Sequence, residues 1–169
     1  MESRNPSTPC SNCGSPALVV RGVYPLTESG LPNVTLVNID IIQCDQCGNK
    51  DPIIPRLNEL FAALALAIVK KPCPLNGADV RFLRKFLKMT GEQFASYLDV
   101  TKSHVSKWEN GADPVGGQSD RAIRAVTVCL GENLKDHIEE IVRTFPDIED
   151  KIREVMYRID AETKEVEYA

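Results

Sequence analysis

Residues 80–111 read VRFLRKFLKMTGEQFASYLDVTKSHVSKWENG. Val80, Leu83 and Leu87 recur at helical spacing, which predicts a helix over about 78–88 with these side chains inward. Thr90 with Gln93 three residues on has capping-box spacing, and predicts a second helix over 91–98 that buries Phe94, Ala95 and Leu98. Asp99 falls at the sharp corner that follows, where aspartate tolerates a left-handed backbone. Thr101 stands where a third helix needs its N-cap, and Asn110-Gly111 ends that helix. In the third helix Val105 and Trp108 face a core. Lys102, Ser103, Ser106 and Lys107 lie away from it, with Ser103 and Lys107 four apart on one face. A short helix with small polar and cationic groups outward suits the major groove of a duplex. The pattern predicts Thr101 and Lys102 at phosphates, Ser103 and Lys107 at base edges and His104 at the margin. Glu109 is expected to turn inward to Arg81 or Arg84. The competing reading is a helical domain whose third helix is only solvated.

Upstream, Cys10/Cys13 and Cys44/Cys47 form two C-x2-C pairs thirty residues apart. Between them ALVVRGVYP (17–25) and NVTLVNIDII (33–42) have strand character, the second placing Val37, Ile39 and Ile41 on one face. The two strands are expected to pair antiparallel and bring the second cysteine pair back to the first. Four thiolates suit a tetrahedral structural zinc, one ion per chain, with Gly14 and Gly48 permitting the tight turns at each pair. A redox CxxC, cysteines packed in a core and an iron–sulfur cluster are the other readings, and two pairs flanking a hairpin favour zinc. A hairpin module of some fifty residues has little core of its own, so a metal would supply folding energy. Cys73 and Cys129 are read as packing residues.

The remaining chain is helical in pattern. DPIIPRLNELFAALALAIVKKP places Leu57, Leu60, Phe61, Leu64 and Ile68 at helical spacing and predicts a helix linking two modules. After the polar GADPVGGQ a fourth helix is predicted over 119–130, and further helices over about 132–144 and 147–166. The last would carry Ile148, Ile152, Val155 and Ile159 as one apolar stripe on a charged rod. The expected architecture is therefore two-domain. A small α+β zinc-binding hairpin module (1–54) is followed by a helical linker (55–75) and an all-α repressor-type helix-turn-helix bundle (76–130). Acidic C-terminal helices (131–169) would form a dimerisation or partner surface. The first nine residues, polar with two prolines, are expected to be mobile.

Formal net charge is −4 over 169 residues, so the chain is not coated in positive charge. The section 78–130 has eight basic and six acidic residues, whereas residues from 131 onward have six basic and twelve acidic. Only the local field bears on nucleic-acid binding, and the middle section alone has a positive balance. The longest apolar run, LFAALALAIV, is too short to span a bilayer, and the polar N-terminus has no signal-peptide core. A cytoplasmic protein without a membrane partner is expected. No acid/base pair or nucleophile triad can be placed around His104 or His137, so no enzyme is expected.

The stretch 80–111 resembles the Cro/phage-repressor type of helix-turn-helix, with Gln93 in the second helix and the WENG terminator. Two positions depart: Tyr97 stands where an alanine is common, and Asp99 where the corner glycine is. The order of two cysteine pairs around a hairpin, helical linker and repressor-type domain, over about residues 10–130, resembles the MqsA family of bacterial antitoxins, the YgiT-type zinc-finger/helix-turn-helix proteins. That resemblance implies Cys10, Cys13, Cys44 and Cys47 as zinc ligands. It also implies a ribonuclease-type toxin engaged by the zinc module, and a homodimer repressing its own operon at a palindromic operator. The family's base-reading asparagine and arginine fall here on Ser103 and Lys107, so a different operator is implied. The expected function is a sequence-specific DNA-binding transcriptional repressor, the antitoxin of a type II toxin–antitoxin pair. A stand-alone regulator without a toxin and a zinc-stabilised protein-interaction module are the alternatives.

Overall fold

The computed structural model describes residues 8–168. The expected mobility of residues 1–9 falls outside the described residues except at Thr8–Pro9, which form strand β1. The described chain divides into two compact units, one comprising residues 8–26, 32–60 and 156–168, the other residues 27–31 and 61–155.

In the first unit β2 (Pro16–Pro25) and β3 (Val34–Gln43) pair antiparallel, as the alternation predicts, from Leu18 opposite Gln43 to Pro25 opposite Thr35. The pairing shifts between Gly22 and Tyr24, where Val37 and Asn38 together oppose Val23. Asn38 has φ +53, a left-handed conformation that asparagine accepts more readily than branched residues. This bulge corrects the predicted strand face. Val34 and Leu36 are buried before it and Ile39 and Ile41 after it, while Val37 is only half-buried. β1 pairs the start of β2, and β4 (Lys50–Ile53) pairs the end of β3.

The C-terminal region is a strand hairpin, not the helix expected over 147–166. β5 (Tyr157–Asp160) runs parallel to β3, and β6 (Val166–Tyr168) pairs β5 antiparallel. Val155, Tyr157, Ile159 and Ala161 are buried whereas Met156 and Arg158 are exposed, a period of two. The spacing of Ile148, Ile152, Val155 and Ile159 also fits a helix, but no apolar stripe forms, because Ile152 is exposed. Two parallel strands require a long crossover, which here is the whole helical region. The turn between β5 and β6 is built by Asp160, whose Oδ1 accepts from the N–H groups of Glu162 at 2.8 Å and Thr163 at 3.0 Å.

Helix α1 (Leu57–Lys70) begins in the first unit and continues in the second. Leu60, Leu64 and Ile68 are buried as their spacing predicts, together with Ala65 and Ala67. The second unit contains α2 (Gly77–Phe86), α3 (Gly91–Tyr97), α4 (Lys102–Glu109), α5 (Gly117–Leu130) and α6 (Ile138–Thr144). The helix predicted over 132–144 is shorter. Asn133 takes φ +63, and a turn of 3-10 helix at Lys135–His137 precedes α6.

A polar network inside the helical unit has no counterpart in the sequence reading. Arg124 on α5 is fully buried. Its Nε donates to Asp120 Oδ1 at 2.6 Å, and its guanidinium donates to the carbonyls of Val69, Lys71 and Cys73, each at 2.8 Å. Those carbonyls lie at and just beyond the C-terminal end of α1, where intrahelical donors are missing. Asp120 Oδ2 also accepts from Leu75 N–H at 2.6 Å, and buried Lys71 pairs with buried Asp79. Every charge in the network has a partner, the condition for tolerating such burial. Cys73 is buried, but Cys129 is exposed, because inward positions of α5 are taken by Ile123, Arg124, Thr127 and Val128.

Candidate metal centre and nucleic-acid interface

Each cysteine pair sits in a tight turn at the end of a strand, and the two turns repeat one another. Cys10 N–H donates to Ser15 O and Gly14 N–H to Cys10 O; Cys44 N–H donates to Asn49 O and Gly48 N–H to Cys44 O, all at 2.9 Å. Gly14 and Gly48 both have φ +72, so the same left-handed residue closes each turn. The β2–β3 hairpin brings the turns together. Asn49 bridges them, donating to Ser11 Oγ at 3.1 Å, while Ser11 itself donates to Asp51.

All four sulfurs of Cys10, Cys13, Cys44 and Cys47 lie within 4.8 Å of one another, and Cys10–Cys47 and Cys13–Cys44 are 3.6 Å apart. A tetrahedron with metal–sulfur bonds of about 2.3 Å has edges of about 3.8 Å, so the cluster fits a four-thiolate metal site. The cysteines are free thiols, and 3.6 Å is far beyond a disulfide bond of about 2.05 Å. The environment splits the four acidities. Cys13 is lowered to about 6, first by the Ser15 side chain and backbone and then by Cys47. Cys10 is lowered by the backbone N–H groups of Cys13 and Asn12. Cys44 is raised to about 11: the Cys47 N–H pulls it down, but burial and the sulfurs of Cys13 and Cys47 prevail. Four sulfurs this close cannot all ionise without a cation among them.

The helical site is assembled by local signals. Thr90 accepts from Gln93 N–H and Gln93 Oε1 from Thr90 N–H, completing the predicted capping box. Asn76 and Asp79 form another at α2. Asp99 has φ +53 at the corner, and Val100 N–H reaches back to Ala95 O at 3.1 Å. Thr101 caps α4, its hydroxyl accepting from His104 N–H at 3.2 Å. Val105 and Trp108 are buried, at 1% and 3% exposure. Glu109 turns inward as expected: Arg84 grips it as a fork, at 2.6 and 3.0 Å, and Arg81 donates to the Glu109 carbonyl at 2.8 Å. The Glu109 carboxylate raises the Arg84 guanidinium above its ordinary range. The pair locks the C-terminal end of α4 onto α2.

Lys102, Ser103, His104, Ser106 and Lys107 are all exposed on α4, with Thr101 at its start. His104 lies against Trp108, ring centroids 5.3 Å apart. The sequence reading missed Asp113, whose Oδ2 lies 3.4 Å from Lys107 Nζ. The one available signal was an acidic residue two positions beyond the terminating glycine.

Residues 80–115 match a helix-turn-helix family, HTH_3, a match that runs from within α2 through α3 and α4 to the loop after them. Its helix-turn-helix is a non-catalytic regulatory domain. Comparison with curated proteins and with solved structures returned no match. Fold and site together define a DNA-binding helix-turn-helix module in one chain with a four-cysteine cluster able to hold a metal. Among the described residues no helix is long and apolar enough to cross a membrane.

Proposed function

We propose that this chain is a sequence-specific transcriptional repressor that binds a palindromic operator as a homodimer and serves as the antitoxin of a toxin–antitoxin pair. The observation that carries the DNA reading is α4. Its apolar side is buried through Val105 and Trp108, and its cap is made, yet it leaves Lys102, Ser103 and Lys107 in solvent. Ser103 and Lys107 reach base edges. Lys102 and the Thr101 hydroxyl, which accepts from His104 N–H and retains a proton to donate, reach phosphates. His104 lies at the edge of the contact. Cys10, Cys13, Cys44 and Cys47 hold one structural Zn2+, which supplies folding energy to the β2–β3 hairpin. A two-fold pair of recognition helices matches a palindrome, and exposed Leu130 and Val142 on α5 and α6 offer apolar surface for pairing. The antitoxin role rests on the resemblance of the whole module order, and implies a ribonuclease-type partner at the zinc module.

Titration of the palindrome upstream of the gene, beside a scrambled duplex and at two salt concentrations, tests the DNA reading. Lys102→Ala should weaken both duplexes alike and lower the salt slope by about 1. Lys107→Ala should cost about 1–3 kcal/mol on the palindrome and less on the scrambled duplex. Wild-type protein that binds both duplexes equally would refute sequence-specific repression. Co-purification of the product of an adjacent gene with this chain, and its loss on disruption of the metal module, tests the antitoxin role.

A further inference from the structure

The loop after α4 carries an acidic side chain back against the helix's outward cation. Gly111 has φ +72 and reverses the chain. Ala112 N–H then donates to the Lys107 carbonyl at 2.9 Å, and Asp113 N–H reaches the same oxygen at 3.4 Å. Val115, two residues on, is buried and anchors the far side of the loop. The backbone of Asp113 is thus held beside the last turn of α4, and the 3.4 Å approach of its carboxylate to Lys107 Nζ follows from that placement. Both side chains are about half exposed, at 55% for Lys107 and 43% for Asp113, so the pair lies on the solvent side of the module. Glu109, four residues earlier, turns inward instead and is gripped by Arg84, and buried Asp79 on α2 pairs with Lys71. Asp113 forms no part of that inner lattice.

We propose that Asp113 is a specificity-determining residue of the DNA-binding surface: it withholds Lys107 from indiscriminate phosphate contact and releases it to a base edge that competes for the ammonium. This rests on the reading of α4 as the duplex-facing helix. A phosphate on any sequence must draw Lys107 away from a fixed carboxylate and approach that carboxylate itself. Both effects penalise every duplex. A cognate base acceptor offsets the first by a directed hydrogen bond, so the penalty falls hardest on the wrong sequence. An exposed ion pair is weak, so the discrimination it adds is roughly two- to fivefold.

The test is a double-mutant cycle on the full-length protein, with Asp113→Asn, Lys107→Ala and the double variant. Each is titrated by fluorescence anisotropy against the upstream palindrome and a scrambled duplex of equal length at two salt concentrations. Asp113→Asn should bind the scrambled duplex roughly two- to fivefold tighter, gain less on the palindrome, and steepen the scrambled-duplex salt slope by about 1. In the Lys107→Ala background the gain should shrink, and Asp113→Glu should stay near wild type. An equal gain on both duplexes, or the same gain with and without Lys107, makes Asp113 a bystander charge and overturns the proposal. Weaker palindrome binding by Asp113→Asn, with its circular dichroism unchanged, overturns it in the other direction, since the carboxylate then aligns Lys107 for binding. Equal binding of both duplexes by wild type is a failure of the repressor reading instead. The cycle on the scrambled duplex still decides whether Asp113 restrains Lys107.

Discussion

Trp108 is the residue on which the candidate DNA surface turns, although it is no part of the exposed face itself. Its indole is buried under α4, the His104 ring lies against it, and Glu109 beside it is held by Arg84. The orientation of Ser103 and Lys107 is therefore set from the inside of the module. Trp108→Ala should destabilise the helical unit by about 3–5 kcal/mol, read as a lowered urea midpoint. An unchanged midpoint would show that the indole is not a core residue. Thr101 works on the same principle at the other end of α4. Its hydroxyl is engaged in the cap, so Thr101→Ala combines a lost cap with any lost phosphate contact. Thr101→Asp keeps a capping oxygen but has no hydroxyl proton to donate, and is the better probe of the contact.

The C-terminal hairpin depends on a carboxylate. Asp160 accepts from Thr163 and Glu162 N–H groups in the β5–β6 turn and from Asn38 Nδ2 at 2.5 Å, which ties the turn to the bulge of β3. These bonds, the Thr163 backbone N–H foremost and then the Asn38 side chain, lower Asp160 from 3.8 to about 2. A depressed carboxylate stabilises the fold above its unfolded value and loses that contribution as pH falls through the folded one. Amide protection in β5 and β6 should therefore decline between about pH 4 and 2, and Asp160→Ala should already show the low-pH protection at pH 7. Equal pH dependence in the variant and wild type would remove Asp160 from that transition. The two cysteine turns are the other vulnerable element. Because β5 pairs with β3, Cys44→Ser or a zinc chelator should expose β2, β3 and also residues 157–168 to exchange, while α2 to α5 stay protected. Hydrogen exchange resolved by peptide reads the two regions separately, and protection retained over 157–168 would detach the hairpin from the metal's stability.

For the whole molecule, elemental analysis of the purified, unoxidised protein should find one zinc per chain, the number the four-cysteine cluster can hold. Sedimentation at tens of micromolar should show a dimer, with Leu130→Glu and Val142→Glu on α5 and α6 shifting it toward monomer. A wild-type protein that sediments only as a monomer rules out the two-fold operator complex at that concentration. The dimer expectation has changed its footing. The apolar stripe that called for a partner over the last helix does not exist, since Val155 and Ile159 are buried within the chain and β5 pairs β3.

The features legible in the sequence alone are the ones made by neighbours along the chain. The Thr90–Gln93 capping box, the Asp99 corner, the Thr101 cap and the Val105/Trp108 anchors each need only a few consecutive residues, so α2 to α4 could be read from local chemistry. The cysteine turns are equally local, and the β2–β3 hairpin that unites them is short-range. The tertiary structure decided what depends on distant partners. Residues 155–161 fit a helical stripe and a period-two strand almost equally well, and pairing with β3, more than a hundred residues earlier, selects the strand. Arg124 and Asp120 have the spacing of an ordinary exposed helical ion pair. Three carbonyls at the end of α1 make them a buried one. Asn38 reads as one polar position in an alternating strand until the register with β2 requires an extra residue there. In each case the local propensities are close to balanced, and the free energy that tips them comes from burial and hydrogen bonding against residues far away in the chain.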